Sequence, residues 1–269
     1  MYTIFQLAKK YLHYYLNASN GKGHGVHSPF VFDFIKNVLN DKKKYDCYYS
    51  IEKIRKELLD NNRAIEVEDF GAGSLAVPNR KKINDIARSF LKSKKFAQLL
   101  FRIVRYYNPH NIVELGTSLG ITTAYIASAN KTSEVFTLEG SKSTAAIAQA
   151  NFQKLELHNI KLIRENFDDT LPELLSQIQT VDLAYVDGNH RKTPTLSYFR
   201  QFQQRSTDES IIIFDDIHWS AGMEEAWKEI QQHPAVTLTV DLFLSVLYFL
   251  RKILKQSNIL LSGFKFSIS

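Results

Sequence analysis

Three aspartates, a histidine and a lysine stand out for the chemistry their types and spacing allow. Asp187 ends the apolar part of "AYVDGNHRK", with His190 and Lys192 following closely, and Asp215 and Asp216 end "IIFDDIH". Carboxylates brought together repel one another and are costly to keep ionised without a cation. Oxygen ligands favour a hard ion, Mg²⁺ first, with Ca²⁺ or Mn²⁺ as alternatives. Without a metal, Asp215 and Asp216 would instead cap the next helix or contact a bound cofactor. A histidine titrates near neutral pH, so His190 is suited to take a proton from a hydroxyl, with Lys192 as the reserve base. His218 reads as a support behind these groups or as surface. All of this depends on whether the two stretches meet, which their supporting elements decide.

From residue 111 short β-rich runs alternate with helical segments: "NIVELG", "EVFTLE", "IKLIRE", "VDLAYVDG" and "SIIIFDD". Buried parallel strands read as such apolar runs, with helices making the crossovers. After the helical "GMEEAWKEIQQH", the runs "AVTLTVDLF" and "SVLYFLR" are too close for a crossover and are expected to form an antiparallel pair. Upstream, helices are expected over 2–16, 31–39 and about 51–59, with the Gly- and Asn-rich "NASNGKGHGVHSPF" as a loop between the first two. Basic helical pieces follow, ending in "FAQLLFRIVRYY". The predicted organisation is a helical extension or lid over 1–95 and an α/β domain over 96–269.

Two glycine turns compete to hold a cofactor. "NIVELGTSLGITTAYIASA" supplies a strand, a tight turn from Gly116 to Gly120, and a helix whose N-terminus faces a ligand. Glu139 ends the next strand, where an acid can hold ribose hydroxyls. The other turn, "DFGAGSLAVPNR" from Asp69, fails this test because Pro78 prevents a helix from continuing out of the turn. It reads as a structural or substrate-side loop. His24 and His27 have ligand-like spacing, but two residues do not make a metal site. Tyr11, Tyr14 and Tyr15 read as packing, or as the lining of an aromatic acceptor pocket.

The motif "VELGTSLGITT", the acid at Glu139 and the later acidic pairs resemble class I S-adenosylmethionine-dependent methyltransferases, in the branch of catechol-type and sugar O-methyltransferases. The resemblance spans roughly residues 95–251, and "GHGVHSPF" with "DFGAGS" is similar to a bacterial group of such enzymes. It implies a Rossmann-like α/β sheet of seven strands in the order 3-2-1-4-5-7-6, strand seven antiparallel, with the helical extension in front. Strands four and five are then neighbours, bringing Asp187, Asp215 and Asp216 together beside the cofactor crevice. It also implies that Gly116, Thr117, Ser118 and Gly120 approach the methionine part of S-adenosyl-L-methionine, with Thr122 behind them. Glu139 and Gly140 would meet the ribose, Asn166 and Phe167 would flank the adenine, Glu114 would orient the loop, and Asp187 would touch the cofactor. Catechol-type enzymes hold magnesium with two aspartates and an asparagine. Here Asp216 stands where the asparagine would, and His190 stands in place of a catalytic lysine.

Composition sets further bounds. At 269 residues and 44% hydrophobic the chain can bury a substantial core, and its single cysteine excludes an internal disulfide. No signal peptide is read at the N-terminus, and "LFLSVLYFL" is too short for a membrane-spanning helix, so the chain reads as cytoplasmic. The net charge of +6 is partly local to 80–95, read as a solvated helical surface, or alternatively a patch for phosphate, nucleic acid or membrane. The expected activity is divalent-metal-assisted O-methylation of a small hydroxylated acceptor. The rivals are methylation of RNA or protein through 80–95, and a non-catalytic cofactor-binding protein. "DGNH" after the fourth strand lacks the Pro-Pro-aromatic pattern of base methylation, which argues against a nucleic-acid substrate. A homodimer is left open.

Overall fold

The computed structural model describes residues 1–20, 28–68, 79–243, 245–250 and 257–262; His24, His27 and the 69–74 glycine turn lie outside them. The N-terminal part runs α1 (Ile4–Asn17), β1 (Ser19–Asn20), α2 (Pro29–Phe34) continued by a π-helical turn (Ile35–Leu39), and α3 (Asp46–Leu59). Then come β2 (Ala64–Val67), β3 (Asn79–Lys82), α4 (Ile83–Phe90) and α5 (Lys94–Tyr107). The alternating part follows with β4 (Asn111–Leu115), α6 (Ile121–Ala129), β5 (Glu134–Leu138), α7 (Lys142–Lys154), β6 (Ile160–Ile163) and α8 (Phe167–Gln177). It continues through β7 (Leu183–Val186), α9 (Lys192–Gln204), β8 (Ile211–Asp215) and α10 (Ala221–Gln231), and ends in β9 (Leu238–Asp241), β10 (Ser245–Phe249) and β11 (Ser257–Ser262). The result is a mixed α/β fold with a mostly parallel sheet and N-terminal helices, as the sequence predicts.

The contacts divide the chain into two units, residues 42–178 and residues 1–41 with 179–269. In the first, β5 lies between β4 and β6 and all three are parallel, which reproduces the expected 3-2-1 part of the order. In the second, β7 pairs parallel with β8, and β10 lies antiparallel between β8 and β9. That is the expected 4-5-7-6 part, with the antiparallel strand where the hairpin spacing requires it. Beyond the seven expected strands, β11 adds parallel to β9 and the short β1 adds parallel to β11.

Strands β7 to β10 are buried at every position, so their near-continuous apolar sequence is what a strand covered on each face requires. Helix α6 is buried nearly all round, which explains why "ITTAYIASA" lacks a polar stripe. The basic run departs from the helical expectation at its start. Residues 79–82 form β3, paired antiparallel with β2, and the helix begins only at Ile83. "NRKK" offers no apolar residue at helical spacing, whereas Ile83, Ile86 and Ala87 supply the buried face of α4. Arg80, Lys82, Arg88, Lys94 and Lys95 are exposed, as a solvated surface would have them. Among the described residues no helix is long and apolar enough to cross a membrane.

Candidate active site

The carboxylate centre lies in the second unit, on the loops that leave β7 and β8. One ligand atom each from Asp187, His190 and Asp216 lies within 4.8 Å of the others. His190 Nε2 is 3.7 Å from Asp187 Oδ1 and 3.7 Å from Asp216 Oδ2, too far for hydrogen bonds. Octahedral ligands at about 2.1 Å from an ion stand roughly 3–4 Å apart, so the Asp187 and Asp216 carboxylates are close enough to share a cation, with His190 beside it. The Tyr185 hydroxyl donates to Asp187 Oδ2 at 3.2 Å and steadies that carboxylate.

Unusual backbone shapes these loops. Asn189 and Asp216 sit in the left-handed region, at φ 56° and 53°, where a side chain is disfavoured. Asn189 is held by its side chain, which donates to the Tyr198 hydroxyl at 3.1 Å and accepts from Arg191 Nε at 2.7 Å. Strain of this kind persists where the surroundings enforce it, and functional loops are a common location. The turn at Asp216 also separates it from its neighbour. Asp215 remains in β8, is 2% exposed, and accepts a short hydrogen bond from the Ser245 hydroxyl opposite it on β10. Successive strand residues face opposite ways, so the two adjacent aspartates do not serve one centre equally. Lys192 opens α9 and is paired with Glu225 at 3.0 Å.

The glycine turn lies in the first unit. Glu114 is fully buried at the end of β4 and accepts hydrogen bonds from the hydroxyls of Thr123 and Thr137. Burial pushes its carboxyl up to about 7; the two threonines oppose this and the charge of Glu139 adds to it. Its Oε1 is buried without a hydrogen-bond partner, an acceptor beneath a turn expected to hold a cationic ligand. Glu139 is half-buried, with Oε2 accepting from Ser118 N–H at 2.7 Å and Oε1 from Ser141 N–H at 3.0 Å. Burial raises its pKa, against those same two amides. Each carboxylate oxygen keeps a lone pair with which to accept from a ribose hydroxyl. Thr117 is buried with its hydroxyl 2.6 Å from that of Thr137, and Thr122 is buried in the first turn of α6. No side chain caps α6, leaving its N-terminal amides for a ligand.

Gly140 follows Glu139 and is half-buried. Asn166 caps α8, accepting from Asp168 N–H at 3.4 Å, and Phe167 begins that helix half-exposed. A cavity of about 450 Å³ in the same unit is lined by Leu58, Ile65, Ile83, Ile147 and Ala150 among others, and by none of the candidate residues.

Gly120 is required for packing as well as for the turn. It sits at φ 81°, and a Cβ there would lie 2.6 Å from the Phe152 ring and 3.0 Å from Ala148. Gly120→Ala is therefore expected to lower stability by about 1–3 kcal/mol, through overpacking and backbone strain. A shift of the urea midpoint at unchanged slope would measure it, and an unshifted midpoint would contradict the packing.

His218 is a residue whose role the sequence did not reveal. It is largely buried, with Nδ1 3.0 Å from Glu224 and Nε2 3.2 Å from Asp241. Lys10 of α1 and the hydroxyl of Tyr2, which precedes that helix, also reach Glu224, at 2.9 and 3.0 Å. Its ring stacks on Phe243, centroids 5.0 Å apart. Burial works against the charged ring, but the two carboxylates outweigh it and hold the pKa at about 9. Tyr11 and Tyr14 pack on Phe243 at 5.0 and 5.3 Å, so these two serve packing, while Tyr15 is half-exposed.

Residues 113–217 match a family model described as a methyltransferase domain. No curated protein matches the sequence. Among solved structures, the O-methyltransferase TomG from Streptomyces achromogenes, involved in tomaymycin synthesis and in complex with SAM, superimposes with a TM-score of 0.57 at 16% identity, over 78% of this chain and 91% of that one. An O-methyltransferase from Bacillus cereus in complex with SAH gives 0.55 at 17% identity, over 82% and 97%. An SAH-bound methyltransferase from Podospora anserina gives 0.58 at 14% identity, over 94% and 97%. At these identities the likeness establishes the fold.

Proposed function

We propose that this chain, a class I S-adenosylmethionine-dependent methyltransferase by domain match and fold, methylates an oxygen of a small hydroxylated acceptor with the help of a divalent cation. The observation that carries the reading is the convergence of Asp187, His190 and Asp216. Asp187 and Asp216 are the proposed cation ligands, with Asp215 behind them, braced by Ser245. A cation held there, Mg²⁺ or Mn²⁺ by the carboxylate oxygens, would lower the pKa of an acceptor hydroxyl. His190, facing the same gap, takes the hydroxyl proton. The freed oxygen pair then forms the new C–O bond as the sulfonium–carbon bond breaks, and Lys192 stays in reserve.

The glycine turn from Gly116 to Gly120 is the proposed cradle for S-adenosyl-L-methionine, which supplies the methyl group. Glu139 accepts from the ribose, Glu114 sets the loop through Thr123 and Thr137, and Asn166 with Phe167 borders the adenine. Relatives in the fold that are O-methyltransferases bound to SAM or SAH support this reading.

The test is transfer of labelled methyl from S-adenosylmethionine to a panel of catechols, other phenols and polyols. Label is expected in a hydroxylated small molecule, with turnover stopped by chelation and restored by Mg²⁺ or Mn²⁺. Asp216→Asn keeps an oxygen ligand but removes a charge, so about tenfold more metal should be needed. Full activity in excess chelator, with no metal found by elemental analysis, would remove the cation from the mechanism. Label found on RNA or protein alone would overturn the acceptor class.

A further inference from the structure

Helix α1 carries an apolar stripe on the side away from its own anchors. Phe5, Ala8, Leu12 and Tyr15 recur at alternating spacings of three and four, the seam of a helix that packs against another helix. Ile4 and Leu16 flank the seam. Phe5 is 80% exposed, Ile4 77%, Leu16 73%, Leu12 58% and Tyr15 50%. The helix beneath is held firmly. Thr3 and Gln6 form a capping box at its start. The Tyr14 hydroxyl donates to the carbonyls of Asp241 and Leu261 at 3.0 and 2.6 Å, and Lys10 pairs with Glu224. The stripe is therefore a fixed ridge of the second unit, uncovered by any described residue.

We infer that this ridge is the contact between two copies of the chain, α1 packing against α1 across a two-fold axis near Ala8. With Met1, 84% exposed, the ridge presents on the order of 700 Å² at roughly 150–200 Å² per full side chain. A monomer leaves its largest apolar patch at a few hundred Å², and each partner in a standard interface contributes about 800 Å². A two-fold contact needs a surface complementary to itself, and a small residue at its centre lets the helices approach. Ala8, between Phe5 and Leu12, is such a centre. A helix lying on an anionic membrane instead borders its apolar face with several cations. Here Lys9 alone stands at that margin, since Lys10 is spent on Glu224.

Sedimentation equilibrium of the full chain at micromolar concentration is expected to give a dimer. Leu12→Glu and Phe5→Glu should each raise the dissociation constant roughly 100-fold, as at the centre of an interface. Both side chains are exposed in the single chain, so its circular dichroism should not change, and any fall in melting temperature should be only the concentration-dependent part that association supplies. Ala8→Cys in a Cys47→Ser background should cross-link to itself under a mild thiol oxidant, because cysteines beside a two-fold axis fall within disulfide reach. Gln6→Cys, off the ridge, should not. A monomer with no Ala8→Cys cross-link overturns the inference, as does a dimer that both glutamate variants leave intact. Binding of the monomer to anionic phosphatidylserine vesicles, lost in Leu12→Glu, would also overturn it and assign the ridge to lipid.

Discussion

Gly116→Val is expected to lower the affinity for S-adenosylmethionine by at least about 100-fold. Gly116 adopts φ 103°, a conformation that a β-branched side chain resists, and its amide donates to the Leu138 carbonyl at 3.0 Å to hold the turn against β5. Valine would push the backbone out of that conformation and fill the space where a ligand meets the loop. Calorimetric titration measures the loss. Glu139→Gln guards against simple misfolding, because its volume is unchanged. A carboxamide presents an N–H₂ group to the amide of either Ser118 or Ser141, both donors, so one hydrogen bond is lost and affinity is expected to fall about tenfold. Gly71→Val, in the competing glycine turn, should leave affinity nearly unchanged. Equal losses in folded Gly116→Val and Gly71→Val proteins would sink the assignment of the cofactor to the second turn.

His218→Ala carries the largest expected cost in stability, about 3–5 kcal/mol, because it takes the cation from the buried Asp241 carboxylate and leaves Glu224 with Lys10 and Tyr2 alone. The pH dependence follows from the signs of two shifts. The folded pKa of His218, about 9, lies above its ordinary value of 6.5, so its contribution is complete below 6.5 and disappears as pH rises towards 9. Glu224 moves the other way. Burial resists its ionisation, but hydrogen bonds from His218, Lys10 and Tyr2 draw its pKa down to about 2. Its contribution is complete above 4.5 and is lost as pH falls towards 2. The network should therefore stabilise most between about pH 4.5 and 6.5. Melting temperatures across pH 4–9 check this. In His218→Ala the decline between 6.5 and 9 should disappear, and a decline of the same size in the variant would show that another group causes it.

By itself the sequence determined the alternation of strands and helices from residue 111, the antiparallel return of β10, and the glycine turn from Gly116 to Gly120. These are local matters. Short apolar runs rich in β-branched residues and bounded by turns read as covered strands, a short link between two strands forces a hairpin, and a tight turn before a helix calls for residues tolerant of positive φ. The side-chain partners were decided by tertiary structure. "FDD" and "SVLYF" do not reveal that Asp215 pairs with Ser245, because only the register of β8 with β10 sets them opposite. The backbone turn at Asp216, which parts it from Asp215 and brings it to His190 and Asp187, is likewise absent from any pattern of residue types. The same holds for His218. Its partners stand six residues away in Glu224 and twenty-three away in Asp241, and Glu224 is met in turn by Lys10, further still, on α1. Contacts over such separations exist only once the sheet and its helices have packed, so their energies and pKa shifts belong to the fold and not to any segment.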